Sequence, residues 1–549
     1  MNIIEQIKQS FEQFLSQTFS IDENFTKKGS FSLNVDPAKQ QFGDINSNHA
    51  MVLTKELKRN PRQIAETIAN DFSNIYIEKI EIAGPGFLNF HLTEKAFKKL
   101  AQDIFENNEN FFKLAQETKK KNFNIEFVSA NPTGPLHLGH GRGAIIGDVL
   151  GNICKFIGHK VTQEFYINDA GAQITKLGKS FKARCQQASG LEVAMPEDGY
   201  QGQYLADLAK ELIAEHGNNV LDENDVFFAT YAKERMLLQQ EKTLGNYGVI
   251  FDTWFSEKQL HDNKSIEAIL TILDNKEHLY TKDDALWFKS TNFGDDKDRV
   301  IRKKTGDLTY IAADIAYMKN KVDRNHDHLI MILGHDHHSY VTRLEGLRQA
   351  QELSAPLDVI LYQLVRMKAS GEFVRMSKRA GNIVTLKEVI KLVGKDVARF
   401  FYLNRKADAQ LEFDLELALK KTDENPVFYA QYAYVRTKSI LNKALEIKEF
   451  ENINIEDIQF LEKTEHYLLK KIIVLKELLT LISKNYQTHL LTYYVVELAQ
   501  EFHKYYAQNR VINMENLPQS RARLLMITLL KNTLQTCLTL IGISKPEKM

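Results

Sequence analysis

The chain has 549 residues, 43% hydrophobic and 26% charged, which excludes a disordered protein and allows about three or four globular domains. Lysine plus arginine and aspartate plus glutamate each number 71, and this zero net charge neither demands nor excludes a nucleic-acid partner. The three cysteines form no CxxC pair, which argues against a zinc ribbon or disulfide framework and fits a reducing cytoplasm; no apolar run approaches the ~18 residues of a membrane span.

The first part of the chain predicts an N-terminal α/β domain of residues 1–118. It begins MNIIEQIKQSFEQFL, whose apolar residues have helical spacing and whose glutamates argue against a targeting peptide. A strand signal ends in AGPGFLNFHL, where a Gly-Pro-Gly sequence interrupts an alternating apolar run. A helical stretch and the basic run at 119–121, a linker by composition, follow.

The middle of the chain alternates strand and helix patterns. NIEFVS at 124–129 predicts a strand, GAIIGDVLGNICKFIG at 143–158 a helix and VTQEFY at 161–166 the next strand, which together form a β-α-β unit. HLIMILG at 328–334, a helix and the strand LDVILYQLVRM at 357–367 form a second half. Helical sequence and a hairpin-like stretch around 285–310 lie between the halves. We predict a Rossmann-like, parallel-sheet catalytic domain with a helical insertion over residues 119–385.

The last part of the chain, from residue 386 to 549, has an almost wholly helical pattern. Long amphipathic segments such as HYLLKKIIVLKELLTLISK at 466–484 predict an all-α helical bundle. The predicted fold class is therefore α/β, with the Rossmann-like domain flanked by the N-terminal α/β domain and this bundle.

The most informative local motif is NPTGPLHLGHGRG at 131–143, between the first strand and its helix. Its prolines and first glycine force an irregular exit from the strand, and its later glycines let the backbone approach a phosphate at the helix end. His137 and His140 are three residues apart and can both point at that anion. The alternative is a surface loop with two histidines, but the position at the start of a β-α-β unit favours the anion site.

Two signatures in this order resemble those of class I aminoacyl-tRNA synthetases. HLGH matches the first, and RMSKRAGN at 375–382 is similar to the second, a Lys-Met-Ser-Lys loop, although Arg375 replaces its first lysine. A basic turn is the alternative for RMSKR taken alone. The resemblance implies that His137, His140 and Lys378 are catalytic, and that Mg²⁺ accompanies ATP, held mainly by phosphates and water. The ATP-binding residues that it implies are His137, Leu138, Gly139, His140, Gly141, Asp336, Met376, Ser377 and Lys378.

The residues around the motif point to a guanidinium ligand. A guanidinium has five donors and keeps its charge, so its site needs carboxylates and planar acceptors. Glu126 precedes the HLGH loop, Asn131 lies five residues on, and Tyr310 and Asp314 are one helical turn apart. These positions match the arginine-binding residues of arginyl-tRNA synthetases, whose pocket edge the resemblance also assigns to His337. The alternative is a solvated glutamate and a helix-surface aspartate.

The resemblance to arginyl-tRNA synthetases extends over essentially the whole chain. It includes YINDAGAQI, FDTWFSE and GHDHHSY in the middle, FGDINSNHAM near the start and YYAQNRV near the end. It implies a first domain that grips the tRNA elbow, a helical anticodon-binding domain, and a cytoplasmic monomer with arginine, ATP and tRNA as substrates. The implied reaction passes through arginyl-adenylate and yields arginyl-tRNA, AMP and pyrophosphate. It also implies that activation of arginine depends on bound tRNA.

The stretch HDHLIMILGHDHHSY raises the alternative of a metal site, because five histidines and two aspartates lie between positions 326 and 338. The two groups of side chains flank a predicted buried strand, so one ion could not easily gather them. We therefore predict no metal site. The resemblance places Asp336 and His337 at the edge of the arginine and adenosine pocket.

Two other functions are compatible with parts of the sequence. An HxGH nucleotidyltransferase that adenylates a small molecule would not need the long helical C-terminal segment. A catalytically silent tRNA-binding relative would not need His137, His140 and Lys378 together with Glu126 and Asp314. Pyrophosphate exchange into ATP distinguishes the three functions.

Overall fold

The computed structural model describes residues 2–116, 118–369, 371–373, 384–451 and 453–549. Its helices are α1 (Ile3–Phe19), α2 (Glu23–Thr26), α3 (His49–Leu57), α4 (Pro61–Asp71), α5 (Glu94–Asn107), α6 (Leu138–Ile157), α7 (Ala172–Ala188), α8 (Gln203–His216), α9 (Asp225–Tyr247), α10 (Lys258–Asp262), α11 (Ser265–Asn275), α12 (Tyr310–Asp323), α13 (His338–Ala350), α14 (Leu386–Val393), α15 (Lys395–Leu403), α16 (Leu415–Leu419), α17 (Pro426–Leu445), α18 (Lys463–Asn485), α19 (His489–Gln508) and α20 (Leu517–Ile541). Its strands are β1 (Phe31–Leu33), β2 (Ile45–Ser47), β3 (Ile77–Ala83), β4 (Phe87–Leu92), β5 (Asn122–Phe127), β6 (Lys160–Ile167), β7 (Thr253–Ser256), β8 (Leu279–Lys282), β9 (Ala285–Phe288), β10 (Arg299–Arg302), β11 (His328–Gly334), β12 (Leu357–Tyr362), β13 (Val365–Ala369), β14 (Glu372–Phe373) and β15 (Leu411–Asp414).

The N-terminal region has the predicted α/β composition. Helix α1 begins at a capping box in which Asn2 and Glu5 bind each other's backbone N–H, and its apolar face is buried. The sheet is antiparallel with the order β1-β2-β4-β3. The Gly-Pro-Gly sequence forms the turn between β3 and β4, as its composition predicts.

A five-stranded parallel sheet with the order β12-β11-β5-β6-β7 forms the centre of the molecule. The chain leaves β5 towards β6 on one side and returns through β11 on the other. The carboxyl ends of β5 and β11 therefore flank the crevice where doubly wound sheets bind ligands. The predicted β-α-β unit and the strand at 328–334 are confirmed.

Two predicted elements have different bounds. The helix after β5 begins at Leu138, inside the HLGH motif, and not at residue 143, because His137 caps it. The segment 357–367 is two strands and not one: β12 ends at Tyr362, and β13 joins a separate sheet with the order β14-β13-β15.

Helix α6 lies close to the parallel sheet because glycines recur every four residues along one face. An added Cβ at Gly143, Gly147 or Gly151 would come within 2.8 Å of a side chain of the sheet. At Gly147 it would lie 2.2 Å from the Phe127 ring. A side chain at these positions would push the helix off the strands.

Two insertions follow the first β-α-β unit, and each buries its own apolar residues. The first contains α7, α8 and α9, as the helical pattern predicts. The second contains the antiparallel sheet β10-β9-β8 together with α11 and α12, and the hairpin predicted around 285–310 is part of it.

The C-terminal region is almost wholly helical, as predicted, and ends in a bundle of α17, α18, α19 and α20; the segment before the bundle includes one short strand, β15. Strand β15 pairs in parallel with β13, which attaches this segment to the catalytic region.

Helix α20 is the one described helix long and apolar enough to cross a membrane, and 72% of its most apolar window is buried in the fold. Packing in the bundle accounts for that apolar surface.

Two buried arginines hold α6 against the rest of the protein. Arg142 donates to the carbonyl oxygens of Gln363 (2.8 Å), Ala409 (2.7 Å) and Lys406 (2.8 Å). Arg399 pairs with Asp148 of α6. The remaining donors of Arg399 reach carbonyl oxygens at the ends of α9 and α20: Tyr247, Gly248 and Ile541.

We predict that Arg399→Met destabilises the fold. The substitution leaves the buried Asp148 carboxylate without its cation, which costs about 3–5 kcal/mol in comparable pairs. The midpoint of thermal unfolding should fall by several degrees. Arg405→Met, at an exposed arginine of the same segment, is the matched control. Equal midpoints for the two variants would show that the pair contributes nothing.

Candidate active site

A cleft of about 830 Å³ opens at the carboxyl ends of β5 and β11. It is lined by residues 126 and 128–131, by 137–140 at the start of α6, by 331–337 at the end of β11 and just after it, and by side chains from α12 and α13. The predicted site residues that line it are Glu126, Asn131, His137, Leu138, Gly139, His140, Tyr310, Asp314, Asp336 and His337. Sequence segments almost 200 positions apart thus meet at one edge of the sheet.

The exit from β5 has an unusual backbone. Val128 and Ser129 both have positive φ angles, 68° and 42°, which a β-branched residue such as valine rarely adopts. The Ser129 hydroxyl donates to Glu126 (3.1 Å) and accepts the backbone N–H of Tyr166 (3.1 Å). Such a conformation costs roughly 1–3 kcal/mol, and its occurrence beside the cleft is typical of a functional site.

The following loop, residues 131–134, is fixed by the helical insertion. Gln240 of α9 donates to the carbonyl oxygens of Asn131 (3.0 Å) and Gly134 (2.8 Å). Tyr204 of α8 donates to that of Thr133 (2.6 Å). The insertion therefore supports the approach to the HLGH motif.

The two histidines form a stacked pair at the N-terminus of α6. Their ring centroids are 3.6 Å apart. Nδ1 of His137 accepts the N–H of Gly139, and Nδ1 of His140 accepts that of His137, both at 3.1 Å. Because Nδ1 accepts in each ring, the neutral rings carry their protons on Nε2. The pair and the helix terminus thus favour an anion.

The HLGH motif is joined to the start of α14. Leu138 donates its N–H to Val384 (3.0 Å), and Leu386 donates to Leu136 (2.9 Å). The predicted residues Arg375, Met376, Ser377 and Lys378 lie outside the described residues. The first described residues after them thus contact the start of α6.

Three carboxylates line the other side of the cleft. Glu126, Asp314 and Glu257 come from β5, α12 and the end of β7. Glu126 is buried and pairs with Lys321. Burial, and then the charges of Glu257 and Glu126, raise the pKa of Asp314 well above its usual range. Burial also raises the pKa of Glu257, although a hydrogen bond from Tyr166 opposes the shift. This side of the cleft suits a cation.

The remaining predicted residues differ in their positions. Tyr310 begins α12 with 63% of its surface exposed, one turn before Asp314. Asp336 and His337 are exposed at the rim, in a 3-10 turn after β11. Gly141, predicted to bind ATP, does not line the cleft. It packs against Leu386 and Tyr402 because it faces the opposite side of α6.

Sequence reasoning missed several lining residues: Tyr166, Asn168, Glu257, Tyr340 and Arg343. The first three end or follow β6 and β7, the two parallel strands next to β5 in the order β5-β6-β7. Because parallel strands end at one edge, a search at the ends of predicted strands could have found Asn168 and Glu257. Tyr340 ends the GHDHHSY stretch, but its contact with α12 has no local signal.

The histidines of residues 326–338 divide between the two ends of β11. His328 pairs with Asp358 (2.6 Å) at the amino end of the strand. His335 and His337 lie at its carboxyl end. In the described part of the chain, no group of three or more His, Cys, Asp or Glu side chains could hold a metal ion.

Three family models match the chain in succession. They are described as the arginyl tRNA synthetase N terminal domain (residues 5–92), the tRNA synthetases class I (R) catalytic domain (101–408) and the DALR anticodon binding domain (430–549).

Curated relatives match over nearly their full length. The arginine–tRNA ligase of Bacillus subtilis is 42% identical over 93% of each chain, and that of Oceanobacillus iheyensis is 40% identical over 100% of each. The arginyl-tRNA synthetase structure from Thermus thermophilus has the same fold, with a TM-score of 0.74 at 19% identity over 100% of both chains.

We predict that binding of an alkylguanidinium ligand such as arginine weakens as the pH falls. The ligand binds the ionised form of Asp314, and the pKa of this group is raised in the empty site. The affinity for the ligand is therefore highest and independent of pH above that pKa. Below it, the affinity falls by up to about tenfold per pH unit. Titration calorimetry from mildly alkaline to mildly acidic pH should show this decline and proton release on binding. If Asp314→Asn keeps the same decline, another group is responsible.

Proposed function

The chain belongs to the arginyl-tRNA synthetase family, and on this premise we propose that it ligates L-arginine to its cognate tRNA at the expense of ATP. The observation that carries the proposal is the polarity of the cleft. A helix terminus with two stacked histidines suits a phosphate on one side, and three carboxylates suit a guanidinium on the other. Arginine and ATP, bound side by side, would match both.

Activation is an in-line displacement at phosphorus. The arginine carboxylate forms a bond to the α-phosphorus of ATP while the bond to the pyrophosphate oxygen breaks, which gives arginyl-adenylate. Little proton transfer is needed, so the protein accelerates the step by positioning and by neutralising developing charge. The Nε2–H groups of His137 and His140 are the donors that we assign to the α-phosphate. We assign Lys378 to the pyrophosphate, and this assignment rests only on the resemblance of RMSKRAGN to the second class I signature.

Transfer follows in the same cleft. A hydroxyl of the terminal tRNA adenosine attacks the adenylate carbonyl, and AMP leaves; class I membership implies the 2′-hydroxyl. Mg²⁺ would enter with the nucleotide and offset phosphate charge. The described residues offer it no protein cage, which fits an ion held by phosphates and water.

Recognition of tRNA is supported by an aromatic and basic surface on α17 and α19. The Arg436 guanidinium lies 4.9 Å from the Tyr432 ring centroid and 5.1 Å from that of Tyr506. His503 stacks near Tyr432, with ring centroids 5.6 Å apart. Stacked rings and guanidinium planes of this kind bind unpaired bases. We assign this surface to the anticodon loop.

We further propose a division into domains at 1–118, 119–385 and 386–549, with tRNA-elbow, catalytic and anticodon-binding roles. The attachment of β15 to β13 places the start of the third domain against the second. We propose a cytoplasmic monomer without a membrane partner.

The decisive test is pyrophosphate exchange into ATP, and we predict that it requires both arginine and tRNA. The start of α14 contacts the HLGH motif, and the chain continues from there into the anticodon-binding bundle. Bound tRNA can promote activation only to the extent that it binds the state with an assembled active site more tightly than the state without one. A tenfold difference in affinity between the two states corresponds to about 1.4 kcal/mol. Full exchange in nuclease-treated, RNA-free protein would contradict the coupling. No exchange with any amino acid and tRNA would contradict the function.

A second prediction concerns Asp314→Asn. Loss of a charged hydrogen bond costs about 1.5–3 kcal/mol, so the KM for arginine should rise roughly ten- to a hundredfold. The KM for ATP should stay within about twofold of the wild-type value, because Asp314 lies on the side of the cleft that has the three carboxylates and not on the side of the histidine pair. Asp323→Asn, at the exposed end of the same helix, is the control. Parallel loss of affinity for both substrates would argue against the assignment.

A further inference from the structure

Two residues of α13 act on the Asp314 carboxylate, one through a hydrogen bond and the other through its charge. The Tyr340 hydroxyl donates a hydrogen bond to Oδ2 of Asp314. The guanidinium carbon of Arg343, one turn further along the helix, lies 4.9 Å from the centroid of the Tyr340 ring. Both side chains line the cleft. Asp314 thus receives a hydrogen bond from Tyr340 and feels the positive charge of Arg343.

The acid nearest to Arg343 is held more closely by another arginine. That acid is the buried Asp295, whose Oδ2 lies 3.9 Å from Nε of Arg343. Arg299 already binds both carboxylate oxygens of Asp295, at 2.8 and 2.6 Å. Within the described residues, the buried Nε of Arg343 has no hydrogen-bond partner. The positive charge of Arg343 is thus shared between Asp295 and the cleft, where it opposes the burial that raises the pKa of Asp314.

When all three carboxylates around Asp314 are ionised, they carry one more charge than the two cations beside them. Glu126, Glu257 and Asp314 are opposed by Lys321 and Arg343. One guanidinium ligand completes this balance. The titratable groups that face Asp314 from the surrounding elements are Glu126, Tyr166, Glu257 with its neighbour His261, Tyr310, Lys321, His337, Tyr340 and Arg343.

We propose that Tyr340 and Arg343 are positioning residues that keep the Asp314 carboxylate aimed at the bound guanidinium and ionised, and so set the preference for arginine over a neutral analogue of the same shape. This inference rests on the proposed function. Loss of Arg343 would leave the three acids with one cation, and Asp314 would respond by retaining its proton. A protonated Asp314 loses its ion pair with arginine but can still hydrogen-bond a ureido oxygen.

The test compares Arg343→Met and Tyr340→Phe with the wild type in tRNA-supported exchange, as a function of pH. For Arg343→Met, kcat/KM for arginine at neutral pH should fall about tenfold or more and recover at alkaline pH, because the apparent pKa of the profile rises. Arg343→Lys should restore most of the loss. Tyr340→Phe should raise the KM for arginine several-fold and leave kcat nearly unchanged. Citrulline, the neutral ureido analogue, should inhibit Arg343→Met relatively better than the wild type.

The controls separate this pair from the function itself. Arg348→Met, further along α13 and outside the cleft, should leave the pH profile unchanged. An inactive wild type would contradict the proposed function and leave no arginine profile to explain. An active wild type whose pH profile and citrulline inhibition are unchanged in Arg343→Met would overturn the proposal. If Arg343→Met does not fold, the same comparison for Tyr340→Phe and Arg343→Lys decides: a KM for arginine and a pH profile equal to wild type in both would also overturn it.

Discussion

The buried pair between Arg399 and Asp148 is the interaction on which the arrangement of the cleft depends. Burial of two charges costs several kcal/mol each, so the pair is retained only because Arg399 also binds carbonyl oxygens at the ends of α9 and α20. Arg142 fixes the first turns of α6 in the same way. Together the arginines hold α6 in place against the neighbouring elements, and so set where its terminal N–H groups and histidines lie relative to the strand ends.

Because α6 is fixed, the cleft has a positively polarised side and a negatively charged side. The helix terminus offers partial positive charge and neutral histidine donors, whereas the strand ends and α12 offer carboxylates. Helix α6 packs against Phe127 of β5, and α12 contacts the adjacent Glu126 through Lys321, so the two helices lie on opposite faces of the strand. A ligand pair with a phosphate beside a guanidinium therefore meets donors and acceptors that are already in place, and little reorganisation is needed when charge develops.

The sequence predicts those parts of the site that have local periodicity or a compact motif. HLGH, the β-α-β unit and the helical spacing of Tyr310 and Asp314 are of this kind. Contacts between distant segments are not: Glu257 reaches the cleft because β7 is added in parallel two strands from β5. Nor does an apolar run reveal where a strand changes sheets. β12 ends at Tyr362, and Arg142 binds the next carbonyl, that of Gln363, which no pattern around 357–367 indicates.

Selectivity follows from the same carboxylates that make the empty site unfavourable. Burial raises the pKa values of Asp314 and Glu257, so ionisation of these acids in the free protein carries an electrostatic cost that a bound cation offsets. A neutral amino acid of similar length would leave each acid without its partner, at about 1–3 kcal/mol per unsatisfied group. Sites that bind through such buried polar groups reject analogues by large factors at the first binding step, whereas an apolar pocket cannot. Discrimination therefore requires buried acids with raised pKa values. The positive charges of Lys321 and Arg343 reduce the electrostatic cost of ionising these acids to an amount that one bound guanidinium can offset.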